Sequence, residues 1–311
     1  MALPTLEKSW QFNVNQNLVS TGTVATDNAN ILYAIKNSLV TFADAPWTVV
    51  LSSDGATSGA SDKWTDASKV IHSGANYSWI VLKQTGILSN YQLLLTCSSS
   101  TSSIAIKQSP AVGFSGGSTT TDPTAADSVT LLAVGTWMLS TAATVKLHVL
   151  QTTTGSQTWV LACSAGVLKA AGGFGAISNP VTGMTHPAWG YWKVNTPLTM
   201  QYFADTTNAN VFGRDNATNM TMYMTVEGSR NNNIPDELAG INQVSSQYPI
   251  LGMGIYSKTA TKLGRHGRIA DAWFGTTGIP DGSTYPNDST RQFVQFNNVI
   301  LPWNGTIPQV T

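Results

Sequence analysis

Residues 91–97 read YQLLLTC, a short apolar run that does not alternate regularly with polar positions. Ten further runs of comparable length are rich in β-branched or aromatic residues, and Gly, Asn, Ser or Pro bounds most of them. Such runs are typical of β-strands, and the missing alternation predicts strands covered on both faces. The ten are WTVVLSS (47–53), SWIVLKQ (78–84), SIAIKQ (103–108), VTLLAVG (129–135), VKLHVLQ (145–151), TWVLAC (158–163), TMQYFA (199–204), NVFGR (210–214), TMYMTVE (221–227) and RQFVQFNNVIL (291–301).

One stretch ahead of these runs has helical spacing. In TDNANILYAIKNSLVTF (26–42), apolar residues recur every three or four positions, and Asp27 or Thr26 is placed to cap the helix start. A second short helix is predicted from Pro235, within PDELAGI. We therefore expect a mainly β fold with β-sandwich or jelly-roll-like sheets, one N-terminal amphipathic helix and few other helices.

The Gly/Thr/Pro-rich stretch GFSGGSTTTDPTAAD (113–127) is the best place for a soft domain boundary. This predicts a helix plus β domain over residues 1–122 and a β domain over residues 123–311. The alternative is one compact unit.

Charge is scarce in this chain. Only 10% of its 311 residues are charged, against about 25% in an average soluble domain, and the formal net charge is zero. Near-zero net charge favours association between copies, which predicts a part of an assembly. An ordinary extracellular β protein is the alternative with the same composition. Because the chain is not basic, we expect no nucleic-acid partner.

The first residues, MALPTLEKSW, contain no basic region followed by an apolar stretch, so we expect no secretory signal. No run of eighteen apolar residues occurs, so we also expect no membrane span. Cys97 and Cys163 lie in apolar strand-like runs and are expected to be small buried hydrophobic residues, with pairing between them left open.

Catalytic and metal-binding motifs are weak. GFSGG resembles a nucleophile elbow around Ser115, but STTTDPTA follows it and does not begin a helix, so a flexible glycine turn is favoured. The four histidines are isolated from each other and from metal-ligand partners, so structural roles are favoured for them. We expect no enzymatic activity and no cofactor.

Three carboxylates, Asp54, Asp62 and Asp66, fall within thirteen residues and could hold calcium. The spacing of a calcium-binding EF-hand loop is absent, and Asp54-Gly55 is more simply a turn. We therefore expect no metal site here.

Two clusters are candidates for contact with other molecules. The first is HPAWGYWKV (186–194), which places Trp189, Tyr191 and Trp192 within four residues. Tryptophan and tyrosine fill β cores, but exposed ones also stack on sugar rings and anchor interfaces. Core packing, an intersubunit contact and surface binding all stay open for this aromatic cluster.

The second cluster is basic and comprises Lys262, Arg265 and Arg268, around the stretch GRHGRIADAW (264–273). Its two glycines oppose a helix and favour a loop or an irregular strand. Because a guanidinium presents a planar fork of donors, we expect Arg265 or Arg268 to make a charge-assisted contact. The acidic partner is expected on a neighbouring subunit or within the chain, at Asp271, Asp281 or Asp288.

The predicted helix, the runs WTVVLSSDG, SWIVLKQ and YQLLLTC, and the stretch GFSGGSTTTDPTAAD resemble an uncharacterised group of tailed-bacteriophage virion proteins. The C-terminal stretch GRHGRIADAWFGTTGIPDGSTYPNDSTRQFVQFNNVILPWNG is similar to the closing segment of that group. The resemblance covers about two thirds of the chain and is weakest around residues 136–250.

The resemblance implies a structural virion component that is tail-associated (tail, baseplate or fibre attachment) and acts by subunit–subunit assembly. Its partners would be other virion proteins and copies of itself, and it would be made in the host cytoplasm. Two alternatives are kept: a capsid decoration or head-spike protein, and a module that binds host surface glycan.

Overall fold

The computed structural model describes residues 10–19, 21–42, 46–70, 76–84, 90–98, 104–109, 112–134, 144–152, 157–163, 169–178, 185–194, 221–224, 242–243, 249–258, 263–274, 284–288, 291–296 and 299–303. Within these residues the chain forms one α-helix, one short 3-10 helix (Ala67–Lys69) and eighteen strands. In chain order, helix and strands are β1 (Trp10–Val19), α1 (Val24–Val40), β2 (Thr48–Asp54), β3 (Ser58–Gly59), β4 (Tyr77–Lys83), β5 (Gln92–Ser98), β6 (Ile104–Ser109), β7 (Val129–Val134), β8 (Thr144–Thr152), β9 (Gln157–Cys163), β10 (Lys169–Ser178), β11 (Thr185–Val194), β12 (Thr221–Met224), β13 (Asn242–Gln243), β14 (Pro249–Lys258), β15 (Leu263–Phe274), β16 (Thr284–Asp288), β17 (Arg291–Phe296) and β18 (Val299–Trp303).

The described part of the chain is mainly β with one N-terminal α-helix, as the sequence predicts. The apolar runs account for β2, β4 to β9 and β12, and the run at 291–301 divides into β17 and β18, which pair with each other. Five consecutive residues of β4 are buried, which confirms for this strand that both faces are covered. The predicted helix at Pro235 and the runs at 199–204 and 210–214 lie outside the described residues.

The start of α1 differs from the prediction. The helix begins at Val24 with Thr23 as its N-cap residue, earlier than Thr26 or Asp27. The Asp27 backbone N–H already donates to the Thr23 carbonyl, so Asp27 belongs to the first turn. Its carboxylate instead accepts hydrogen bonds from the Thr21 backbone N–H at 2.8 Å and the Thr21 hydroxyl at 2.9 Å. A carboxylate near the N-terminus of a helix is stabilised by the helix dipole. Asp27 is therefore favourably placed, but inside the first turn and not at the N-cap position that the sequence predicts.

Six strands form an antiparallel sheet in the order β3-β2-β4-β5-β6-β7. One face of this sheet packs against α1, because Ile80, Leu82, Leu93 and Leu95 join the predicted apolar residues of the helix in one buried cluster. The same cluster includes side chains from the second sheet, namely Leu18, Leu147, Val149 and Phe174. The main described core therefore lies between the helix and strands of both sheets.

The opposite face of the six-stranded sheet is covered by residues 112–128, which we call the covering segment. Phe114 is buried there against Trp79, Val81 and Leu94. The predicted domain boundary between residues 122 and 123 falls inside this segment. Strands β6 and β7, on either side of it, pair with each other in one sheet. The division into two domains stays a prediction.

The second sheet has twelve strands, with a main path β1-β8-β9-β10-β15-β18-β17-β16. Strand β11 pairs with β10, and β14 pairs with β12, β13 and β15. Several of its strands have no counterpart among the predicted runs: β1, β10, β11, β13, β14, β15 and β16. Among them, β1 is rich in amides and β10 in glycine and alanine. These residues have low strand propensity, so pairing with neighbouring strands decides the conformation of β1 and β10.

Candidate functional site

The aromatic cluster lies on β11, which pairs antiparallel with β10. In the register of the two strands, Trp189 faces Gly175, Tyr191 faces Gly173 and Trp192 faces Gly172. Each aromatic residue is thus matched with a residue that has no side chain. Among the described strands, β11 has no ladder except with β10. A contact role for the cluster stays a prediction.

The basic cluster lies on β15, where Arg265 pairs with Tyr256 and Arg268 with Gly254 of β14. The ladder between the strands shifts register twice, between Gly252 and Gly254 and between Ile255 and Tyr256. The segment is therefore an irregular strand, one of the two conformations predicted from its glycines. Lys262 lies outside the described residues, so its relation to the two arginines is not defined.

Strand β10 brings the two clusters onto one sheet. At its last residue, Ser178 pairs with Thr185 of β11 on one side and with Arg268 of β15 on the other. Thr185 begins β11, and Trp189 lies four residues further along the same strand. The aromatic and basic clusters, about seventy-five residues apart in sequence, are separated in the sheet only by β10.

The acidic residues expected to pair with the arginines occupy different places. Asp271 belongs to β15 itself, and Asp288 at the end of β16 pairs in register with Arg291 of β17. Asp281 lies outside the described residues. The expected charge-assisted contact of Arg265 or Arg268 stays a prediction.

Ser115 is an exposed residue of the covering segment. Its backbone N–H donates to the Thr124 carbonyl at 3.0 Å, and the Thr124 N–H donates back to the Ser115 carbonyl at 3.1 Å. Gly113, Gly116 and Gly117 around it adopt positive φ angles that only glycine takes readily. No helix follows within the covering segment, so the local geometry is a glycine turn between two bridged residues, as the sequence predicts.

The covering segment is held to the sheet by polar contacts. The Trp79 indole N–H donates to the Ser118 carbonyl at 2.9 Å. The Asp122 carboxylate accepts from the Thr96 hydroxyl at 2.6 Å and forms an ion pair with Lys107 at 3.4 Å. These contacts join residues up to 39 positions apart, and the sequence contained no short-range signal for them.

Asp54, Asp62 and Asp66, the three carboxylates close together in the sequence, have separate roles in the structure. Asp54 closes a turn by accepting from the backbone N–H groups of Ala56 and Thr57, and Gly55 has a φ of 79°. Asp62 forms an ion pair with Lys36, and Asp66 caps the 3-10 helix by accepting from Ser68. Within the described residues no group of three His, Cys, Asp or Glu side chains could hold a metal ion.

Hydrogen bonding changes the acidity of two of these groups. Partial burial acts to raise the pKa of Asp54, but hydrogen bonds from Thr57 and Ala56 outweigh it, so the pKa lies below its ordinary value of 3.8. The pKa of Asp66 is also lowered, chiefly by the hydrogen bond from the Ser68 hydroxyl. Both carboxylates are thus stabilised in the charged form by turn geometry.

Lys36 is a buried charged residue that the sequence pattern did not predict. It lies in α1 with only 4% of its side chain exposed, and its ammonium contacts the Asp62 carboxylate. It also donates to the Trp64 carbonyl at 2.9 Å and lies 5.5 Å from the centre of the Tyr33 ring. Its position in the sequence could have indicated the burial, because Lys36 falls one turn after Leu32 on the apolar side of the helix. The group ties the loop before the 3-10 helix to α1.

Cys97 is a buried thiol within the main core, as expected for a small hydrophobic residue. Burial, with a smaller contribution from the charge of Asp122, raises its pKa to about 12. A thiol in this state is a poor nucleophile at neutral pH. Cys163 is the last residue of β9.

Three of the four histidines fall on described strands: His148 on β8, His186 on β11 and His266 on β15. They belong to the same sheet but to different strands, and His72 lies outside the described residues.

Comparison with known proteins adds no relative: no family model matches the chain, and no curated protein matches it. A search of the described helices finds none that is both long and apolar enough to cross a membrane.

Proposed function

We propose that this chain is a non-enzymatic structural component of a tailed-bacteriophage virion. In this proposal it is associated with the tail, baseplate or fibre attachment, is made in the host cytoplasm, and acts by assembling with copies of itself and other virion proteins. The resemblance of its strand runs and C-terminal stretch to virion proteins supports the proposal. So does its low charge, with 10% charged residues and zero net charge.

The observation that carries most weight for assembly is the placement of the two clusters around β10. Ser178 pairs with Thr185 on the aromatic strand and with Arg268 on the basic strand. Aromatic residues and arginine are the residue types that most often anchor protein interfaces. Their arrival on one sheet from distant parts of the sequence favours a shared contact surface.

The fold proposed for this role is a sandwich of the two sheets, or a jelly-roll-like arrangement. The shared core that takes side chains from α1, from β4 and β5 and from β8 and β10 supports two packed layers. Jelly-roll folds of two packed sheets occur in viral capsid proteins.

Light scattering over a range of micromolar concentrations tests self-association. We expect species larger than the 33.0 kDa chain, with closed cyclic symmetry. A 33.0 kDa monomer at every concentration, recruited by no other virion protein, would contradict the proposal. Imaging of the intact particle with this chain located in it separates tail association from capsid decoration or a head spike.

Replacement of both Arg265 and Arg268 by Ala tests the basic cluster. We expect weaker assembly or faster proteolysis of the C-terminal segment. The difference from the unmodified chain should be larger at low salt, because high salt already weakens the charge-assisted contact in the unmodified chain. Lys258→Ala on the adjacent strand β14 is the matched control for loss of a nearby positive charge. Unchanged assembly and protease resistance in the double variant would make the cluster a solvated part of the strand.

Glycan binding by Trp189, Tyr191 and Trp192 is the second candidate, because these aromatic residues lie on a strand that pairs on one side only among those described. A glycan array with the intact protein tests it. Glycan binding that is lost in Trp189→Ala and kept in a variant of the basic cluster would support a glycan-binding module over a protein that acts by assembly alone.

A further inference from the structure

Strand β1 lies at one end of the twelve-stranded sheet. Among the described strands it forms a ladder with β8 alone, from Trp10 opposite Thr152 to Val19 opposite Thr144. β18 contacts β1 but forms no ladder with it. Within the described residues, the edge of β1 away from β8 therefore forms no ladder, and an edge of this kind offers backbone N–H and C=O groups to a further strand.

The sequence of β1, WQFNVNQNLV, lacks the side chains that usually block edge pairing. Natural edge strands carry lysine, other charges or proline for this purpose, and β1 has none of them in ten residues. It does have one bulge, between Phe12 and Val14. Beyond the bulge, residues 14–19 form a regular stretch in unbroken register with β8.

The two faces of this regular stretch differ. Leu18 is 6% exposed and belongs to the main core, whereas Val19 is 64% exposed. The two-residue period of a strand assigns Val14 and Gln16 to the face of Leu18, and Asn15 and Asn17 to the face of Val19. We call the face that Asn15 and Asn17 share with Val19 the amide face.

We propose that β1 of a second copy of this chain pairs antiparallel with β1 around a two-fold axis at Gln16. This inference rests on the proposed assembly function and names one contact for it. In this register Val14 lies opposite Leu18 of the second copy and Asn15 lies opposite its Asn17. Apolar residues meet apolar residues, amides meet amides, and the pairing extends the sheet from one copy into the next.

Neighbouring registers match less well. An axis at Asn15 places Val14 opposite Gln16 of the second copy and brings the bulge into the ladder. An axis at Asn17 places Leu18 opposite Gln16. Because one-residue steps change every cross-strand pair, the apolar and amide pattern selects the axis at Gln16. The zero net charge of the chain means that two copies do not repel each other as they approach.

Charge pairs on the amide face test the contact. A chain with Asn15→Lys and Asn17→Lys sets like charges opposite each other twice across the axis, as does a chain with Asn15→Glu and Asn17→Glu. We expect each variant alone to dissociate at a concentration about tenfold higher than the unmodified chain, and an equimolar mixture to associate again. The mixture separates loss of the contact from loss of folding.

The matched control carries Asn37→Lys and Ala56→Lys, two exposed positions on α1 and the Asp54 turn that add the same charge elsewhere. This control should associate like the unmodified chain. If the unmodified chain associates and both β1 variants associate equally well, the proposed edge is wrong while self-assembly stands. If the unmodified chain is a monomer throughout, both proposals fail.

Cysteine pairing tests the register. In a chain with Cys97 and Cys163 replaced by Ala, one preparation carries Asn15→Cys and another carries Asn17→Cys. Directly opposite residues of an antiparallel pair have Cα atoms within disulfide range. We expect a cross-linked dimer on oxidation when the two preparations are mixed, and little from either alone. Two outcomes would overturn the register at Gln16: efficient cross-linking within one preparation, or no cross-linking in the mixture although the chains are folded.

Discussion

The ring of Phe174 meets the ring of Trp47 edge-on, with the ring centroids 5.9 Å apart and the planes at 78°. Trp47 immediately precedes β2 of the six-stranded sheet, whereas Phe174 lies on β10 of the twelve-stranded sheet. Trp47 also contacts Tyr91 edge-on at 6.0 Å, and the Tyr91 hydroxyl donates to the Gln108 side chain at 2.8 Å. This chain of aromatic contacts joins the two sheets in the core.

Phe174→Ala should lower the free energy of unfolding by about 3–5 kcal/mol, because it removes a buried ring and leaves a cavity beside Trp47. Phe174→Leu keeps most of the volume and should cost about 1 kcal/mol. Urea unfolding followed by tryptophan fluorescence measures both. Equal and small effects would mean that the contact between the sheets contributes little to stability.

Asp62→Ala should lower the free energy of unfolding by about 2 kcal/mol, since it leaves the Lys36 ammonium nearly buried without its carboxylate. The effect is below that of a fully buried pair because Asp62 is 35% exposed. Lys36→Met removes the charge and keeps the length, so it should cost less than Asp62→Ala. Urea unfolding decides the order, and a larger loss in Lys36→Met would contradict this account.

Gly116 and Gly117 provide a matched pair in the covering segment. Both have positive φ, +70° and +87°, but a Cβ at Gly116 meets nothing within 4 Å, whereas one at Gly117 would lie 2.8 Å from the Trp79 ring and 2.9 Å from Pro123. Gly116→Ala should therefore cost about 1 kcal/mol from backbone strain alone. Gly117→Ala should cost about 2–4 kcal/mol because buried rings must also move. Limited proteolysis of residues 112–128 should speed up only in Gly117→Ala.

Asp54 should contribute to a loss of stability in acid. Its pKa in the folded chain is below the ordinary 3.8, so its contribution is complete above that value and is lost as the pH falls through the lower, folded pKa. Asp54→Asn should therefore be less stable than the unmodified chain at pH 6, and the difference should shrink below pH 3. Unfolding midpoints at the two pH values measure this. A difference that does not change with pH would show that charge is not involved.

Cys97 should not react with a thiol reagent in the folded chain at pH 8. With a pKa of about 12, only about one thiol in ten thousand is ionised at that pH, and the side chain is buried. In a Cys163→Ala chain, labelling with iodoacetamide should be slow in buffer and complete in denaturant. Rapid labelling in buffer would mean that the core around Cys97 opens readily.

The strands that could be predicted from sequence are those whose residues carry a strong preference of their own. Runs such as SWIVLKQ and YQLLLTC form β4 and β5, because β-branched, leucine and aromatic side chains fit a strand that is buried on both faces. The helix was also predictable, since Leu32, Ile35 and Leu39 recur with helical spacing and are buried on one side of α1. Its start was placed too late, because the cap signal at Asp27 is used one turn inside the helix.

Strands β1 and β10 were missed, because amides, glycines and alanines give them little preference of their own. β1 forms its ladder with a strand far along the chain, from Trp10 opposite Thr152, whereas β10 pairs with its sequence neighbours β9 and β11. By itself the sequence determined the β class, the one helix and the low charge, since these depend on local side-chain preference and composition. Only the tertiary structure decided which residues meet: Lys36 with Asp62, Trp47 with Phe174, and the aromatic and basic clusters on either side of β10. Such contacts join residues far apart in the chain, and they exist only because burial of the shared core outweighs the entropy lost when the chain closes the loops between them.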